Sequence, residues 1–118
     1  MKKFALVTGA SSGIGLQICH SLAKRGYNII LTSRSENKLK TISEEIYSKH
    51  RVETTYFPCD LANKQGPQNI YNFCESKNYQ VVVLVNNAGY ALSDAFEKNS
   101  VEDEEDCIRV LGLSLIHI

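Results

Sequence analysis

Apolar residues along the chain alternate between two kinds of pattern. Four short runs have the length and residue types of strands: Phe4-Ala5-Leu6-Val7, Tyr27-Asn28-Ile29-Ile30-Leu31-Thr32, the stretch 52–57, and Val81-Val82-Val83-Leu84-Val85. The first stops at a glycine-rich turn, as suits a strand buried on both faces. The last is made wholly of β-formers, a pattern that fits a fully covered central position. Between the runs, apolar residues recur at helical spacing. Ile14, Ile18, Leu22 and Ala23 mark a first helix, with Gln17, His20, Ser21 and Lys24 falling between them. Lys24-Arg25-Gly26 ends it with basic charge and a glycine able to turn left-handed. Ser35 is placed to cap a second helix with Leu39, Ile42 and Ile46 on its apolar face. A third is expected over 67–77, with Ile70, Phe73 and Cys74 inward and Pro67 in a first turn that has no need of its N–H. Ser100 and Asp103 have the spacing that opens a fourth.

Strands that alternate with helices predict an α/β domain: a parallel sheet, right-handed crossovers and helices on both faces. Nothing in the sequence reads as a repeat, a low-complexity tract or a linker, so it is expected to form one unit. With four strands the expected spatial order is 3-2-1-4, which leaves 81–85 as a hydrophobic edge.

Composition narrows the possibilities further. The 118 residues include 13 basic and 13 acidic side chains, with 43% hydrophobic and 22% charged, the balance of a globular domain. Zero net charge argues against a nucleic-acid partner, which would call for a basic excess. No apolar run approaches the roughly 20 residues that span a bilayer. The opening apolar stretch stops at Thr8-Gly9, short of a signal sequence, so a cytoplasmic protein without a membrane partner is expected. Cys19, Cys59, Cys74 and Cys107 are scattered, as reduced thiols are, and no metal is implied. His20, His50 and His117 read as solitary surface residues rather than ligands or bases. The acidic run Glu102-Asp103-Glu104-Glu105-Asp106 reads as a solvated face at a helix start.

The strongest chemical signal is Thr8-Gly9-Ala10-Ser11-Ser12-Gly13-Ile14-Gly15, between the first strand and the first helix. A pyrophosphate needs backbone amides at close range, and glycine removes the side chains that would block the approach. A helix starting near Gly13 aims its unpaired N–H groups and positive dipole end at the anion. Gly15 lets the helix sit close to the sheet. At the end of the second strand, where an acid would accept from the ribose 2′-hydroxyl of NAD, stand Ser33 and Arg34. A guanidinium pairs with a 2′-phosphate that a carboxylate would repel. NADP is therefore the expected cofactor, with NAD the alternative.

The spacing T-G-x-x-x-G-x-G, followed by Asp60-Leu61 and by Asn86-Asn87-Ala88-Gly89, resembles the short-chain dehydrogenase/reductase family over nearly the whole chain. The resemblance implies a Rossmann-type, doubly wound fold, with residues 1–112 as the N-terminal part of an NAD(P)-binding domain. It implies that Gly9, Ser11, Ser12, Gly13, Ile14 and Gly15 cradle the cofactor phosphates and adenosine ribose, with Thr8 bracing the loop. Asp60 would bond the adenine amino group with Leu61 beside the ring, and Asn87, Ala88 and Gly89 would line the ribose and support the central strand. The implied activity is an NADP-dependent oxidoreductase acting on a small-molecule carbonyl or alcohol, homo-oligomeric when full length. A non-catalytic NAD(P)-binding module or sensor-like relative is the alternative. A sugar-nucleotide epimerase-like relative, which usually carries an acid after the second strand, is disfavoured by Ser33-Arg34.

Two departures from the family pattern concern catalysis. The family's tyrosine has a lysine four residues on, and none of the six tyrosines here does; Tyr47 has Arg51 instead. Leu111 stands where many members carry an asparagine. No catalytic residue is therefore assigned; Tyr90, following the Asn-Asn-Ala-Gly stretch, is expected near the substrate side by position alone. Leu113-Ser114-Leu115-Ile116-His117-Ile118 resembles translated sequencing adapter, so residues 113–118 are expected to be a non-native tail or a truncated helix. A truncated fragment, inactive by itself, is the expectation.

Overall fold

The structure, a computed structural model, describes residues 2–11, 13–61 and 63–87. Its elements follow in the order β1 (Lys2–Thr8), α1 (Gly13–Lys24), β2 (Asn28–Ser33), α2 (Glu36–His50), β3 (Thr54–Pro58), α3 (Gly66–Ser76) and β4 (Tyr79–Asn86). The four strands form one parallel sheet in the order β3-β2-β1-β4, as expected.

A strand sends successive side chains to opposite faces, and β1 is apolar toward both. Phe4 and Leu6 pack with Ile30, Val81, Leu61 and the inner residues of α3, Ile70 and Cys74. Ala5 and Val7 pack with Ile29 and Leu31 against Cys19 and Ala23 of α1 and Leu39, Ile42 and Ile46 of α2. The helices thus cover both faces, α1 and α2 on one and α3 on the other. This two-sided burial is why the sequence shows unbroken apolar runs in place of alternation.

Several local expectations change. Among the described residues β4 is not fully covered: it has β1 on one side only, and Val82 is 42% exposed. The register explains this residue, because Phe4 pairs with Val81 and Ala5 with Val83, leaving Val82 without a counterpart. The extra residue also inverts the alternation, so Val81 joins the α3 face and Val83 the opposite one. Ile14, the first of the apolar positions at helical spacing and one of the residues expected at the cofactor loop, is 57% exposed in the first turn of α1, and Gly15, Cys19 and Ala23 are buried in that helix. β3 begins at Thr54, not at position 52, because Arg51 turns left-handed to close α2 and the Glu53 N–H is held by the Asn28 side chain at 3.0 Å. Ser35 occupies the N-cap position of α2, yet its hydroxyl makes no capping bond. Its backbone N–H turns back to Ser33 Oγ instead, at 3.3 Å. Gly26 ends α1 at φ 93°, as its position suggested.

The histidines are corrected as well. His20 and His50 are not solitary: His20 Nδ1 lies 3.0 Å from His50 Nε2. Helix packing brings together two residues separated by 30 positions. Among the described residues no helix is long and apolar enough to cross a membrane. The expected fourth helix with its acidic run, Tyr90, Cys107, Leu111 and the tail 113–118 lie outside the described residues.

Candidate functional site

Parallel strands in register end together. Thr8 pairs with Thr32 and with Asn86, and Ser33 pairs with Pro58, so the segments after all four strands leave from one edge of the sheet. The chain runs from β1 outward through β2 to β3, then crosses back to β4 on the far side of β1. The crevice between the ends of β1 and β4 is the switch point at which open α/β sheets hold ligands.

The glycine-rich loop is fastened around that crevice. Gly9 takes the left-handed conformation, φ 63°, and turns the chain off β1. Ala10, fully buried, then donates its N–H to the Thr32 carbonyl at 3.2 Å, drawing the loop toward the end of β2. On the other side, Asn87 donates from Nδ2 to the Gly9 carbonyl at 3.1 Å. Thr8 Oγ1 lies 3.3 Å from the Val85 carbonyl and 3.0 Å from Asn86 Oδ1, bracing β1 against β4. The loop is therefore clamped to both neighbouring strands.

The two glycines of α1 do different work. A Cβ on Gly15 would overlap the Gly9 carbonyl oxygen and stand 2.9 Å from Asn87 Nδ2 and 3.0 Å from Ala10 Cα. Its bareness lets helix, loop and Asn87 close together. A Cβ on Gly13 would meet no atom of the described residues within 4 Å, so the space beside Gly13 in the first turn of α1 is open among them. No acidic residue stands in the first turn to neutralise that end of the helix.

Around this opening stand the other candidates. Arg34 is exposed just past β2 and, among the described residues, has no hydrogen-bond or ion-pair partner. Ser11 is half-buried in the loop and Ile14 exposed at its rim. Cys59 continues the β2–β3 ladder through an N–H bond to the Ser33 carbonyl at 2.8 Å, which places Asp60 at the surface and Leu61 in the core. Gly9, Ser11, Gly13, Ile14, Gly15, Arg34, Asp60, Leu61 and Asn87 thus belong to segments leaving one sheet edge, whereas Ser12, Ala88 and Gly89 lie outside the described residues.

Two contributors had no clear signal in the sequence. Thr32 supplies the carbonyl that anchors Ala10, and its hydroxyl donates to the Phe57 carbonyl at 2.7 Å. Gly66 opens α3 against the Asp60 segment, where a Cβ would overlap the Asp60 carbonyl oxygen. A glycine at a helix start is a faint hint of such an approach.

The parallel α/β sheet and the clamped glycine-rich loop at its switch point define a dinucleotide-fold protein. The short chain dehydrogenase family profile matches residues 3–118, and the chain belongs to that family of oxidoreductases. It is 42% identical over 93 residues to very-long-chain 3-oxoacyl-CoA reductase-B of Danio rerio, covering 77% of this chain and 29% of that protein. It is 35% identical over 108 residues to an uncharacterized oxidoreductase of Staphylococcus saprophyticus, covering 92% and 46%. Among solved structures, L-sorbose reductase of Gluconobacter frateurii, complexed with NADPH and L-sorbose, superposes with a TM-score of 0.79 at 29% identity. That match covers 97% of this chain and 48% of the reductase. The chain thus spans less than half the length of these relatives.

Proposed function

We propose that this chain holds the adenosine and diphosphate portion of NADP(H) in an oxidoreductase acting on a carbonyl or alcohol. The observation that carries the reading is the open space before Gly13 at the amino end of α1, bordered by a loop clamped at Gly9 and Ala10. Anchoring of the loop at Gly9 and Ala10 would lower the ordering cost of gripping an anion at the helix start.

In this reading the loop residues Gly9, Ser11, Ser12, Gly13, Ile14 and Gly15 grip the diphosphate. Asp60 and Leu61 flank the adenine, while Asn87, Ala88 and Gly89 back the ribose. Arg34, exposed and unpartnered among the described residues, pairs with the 2′-phosphate and sets the preference for NADP over NAD. The similar L-sorbose reductase, solved with NADPH, supports that choice. The coenzyme, when bound, would donate hydride to a carbonyl or accept it from an alcohol. The residues of this chain orient it and contribute no proton donor, since no tyrosine here has a lysine four positions on. The 118 residues alone are therefore expected to bind coenzyme without turnover.

Calorimetric titration with NADPH and NADH tests the proposal. Saturable binding with NADPH the tighter ligand is expected. Equal affinities would remove the NADP assignment, and no binding of either would remove the coenzyme site.

A further inference from the structure

On the sheet face that carries both α1 and α2, three titratable side chains join the two helices. His20 Nδ1 lies 3.0 Å from His50 Nε2, and His20 Nε2 lies 3.4 Å from Glu45 Oε1. The ring centres are 5.2 Å apart and the planes inclined by 57°. His20 sits on α1 and His50 is the last residue of α2, so their contact spans the helix–helix boundary. Glu45 and His50 address opposite nitrogens of the His20 ring. These contacts run in line through the His20 ring and do not converge on one point as a metal would require.

A hydrogen bond between two imidazole nitrogens needs one proton on the line that joins them. With no proton there, two lone pairs face each other. With two, N–H opposes N–H and cation opposes cation. We propose that His20 and His50 form a proton-operated latch between α1 and α2, closed while their facing nitrogens share one proton and opened when both rings are charged.

The surrounding charges favour this behaviour. Glu45 Oε1 stands beyond His20, 3.4 Å from the ring nitrogen that faces away from His50. Among the described residues no carboxylate pairs with His50, which lies near Lys49 of α2 and Lys24 of α1. Burial, then the fields of His20, Lys49 and Lys24, hold His50 below the ordinary imidazole range. An unfolded chain would protonate His50 near pH ~6.5, and the folded chain only at lower pH. The stability due to neutral His50 is thus complete above that value and is lost as pH falls through it to the lowered folded one. A coupled pair of this kind takes its two protons in separate steps.

Ring-nitrogen NMR on the purified protein between about pH 5 and 8 tests the latch directly. His50 should titrate below the ordinary value in the unmodified protein and move back toward it in His20→Gln. An ordinary midpoint for His50, or one unmoved by His20→Gln, would overturn the proposal. Thermal melts over the same range give an independent reading. The unmodified protein should lose stability more steeply on acidification than His50→Gln, whose amide does not titrate, and parallel profiles would count against the latch. Should His50→Gln fail to fold, the titration of the unmodified protein still decides the matter.

Discussion

Asn87 donates its side-chain amide to the Gly9 carbonyl at 3.1 Å across 78 positions of sequence, tying the segment after β4 to the loop after β1. The amide is almost wholly withdrawn from water, with Asn87 only 5% exposed. Asn87→Ala removes a buried donor from a carbonyl at the root of the glycine-rich loop, which costs about 1–3 kcal/mol. Asn87→Asp keeps the size but sets a carboxylate against that carbonyl, and is expected to cost more. Urea unfolding checks both, and coenzyme affinity should fall in the same order. Full stability in Asn87→Asp would show that the bond does not hold the loop.

The contrast between Gly15 and Gly13 gives a second prediction. In Gly15→Ala the new methyl meets backbone of Gly9 and Ala10, which cannot swing aside as a flexible side chain would. Overpacking of this kind costs about 1–3 kcal/mol, and the melting temperature should drop. In Gly13→Val the new side chain enters open space, so stability should change little while coenzyme affinity falls. A melt and a titration of each variant separate the roles. If Gly13→Val binds NADPH as well as the unmodified protein, the space before α1 is not the diphosphate site.

What could be read from the sequence follows from which forces are local. The β-α order and the strand order were legible because burial on two faces writes unbroken apolar runs, and crossover handedness leaves few topologies. The loop from Gly9 to Gly15 was legible because Gly9 turns left-handed and Gly15 lies against the loop backbone, two places that favour glycine. At Ile14, helical spacing alone could not tell an inward position from an exposed first turn, and the residue is 57% exposed. Val82 misled because a run of valines does not reveal where one residue is left over in the register. The meeting of His20 with His50, and of Thr32 with Ala10, is set by tertiary packing and leaves no spacing to detect.

The buried thiols give an alkaline prediction. Burial pushes the Cys19 thiol up to about 12, and burial with the charge of Glu75 pushes Cys74 up to about 11. A raised thiol pKa means that the unfolded chain releases its proton first, so stability is complete below the ordinary value of 9.0 and is lost as pH rises above it. Melting temperature should therefore fall from about pH 9 upward, less steeply in Cys19→Ala. Near neutral pH a thiol reagent should spare Cys19 and Cys74 in the native protein and reach both in denaturant. Labelling of Cys19 at the unfolded rate without denaturant would contradict its burial.

Arg34 offers the sharpest test of coenzyme choice, because it is exposed and no described side chain depends on it. Arg34→Ala should leave the fold intact. The charge-assisted bond to a 2′-phosphate would be lost, at about 1.5–3 kcal/mol, and NADPH binding should weaken about ten- to a hundredfold. NADH has no phosphate at that position, so its affinity should hardly change. Arg34→Asp goes further, since a carboxylate repels the phosphate yet can accept from a ribose hydroxyl, and should reverse the preference. Raised salt should weaken NADPH binding more in the unmodified protein than in Arg34→Ala, because screening acts on the charge pair. Equal losses for the two coenzymes in Arg34→Ala would mean that this residue supports the loop and does not read the ribose.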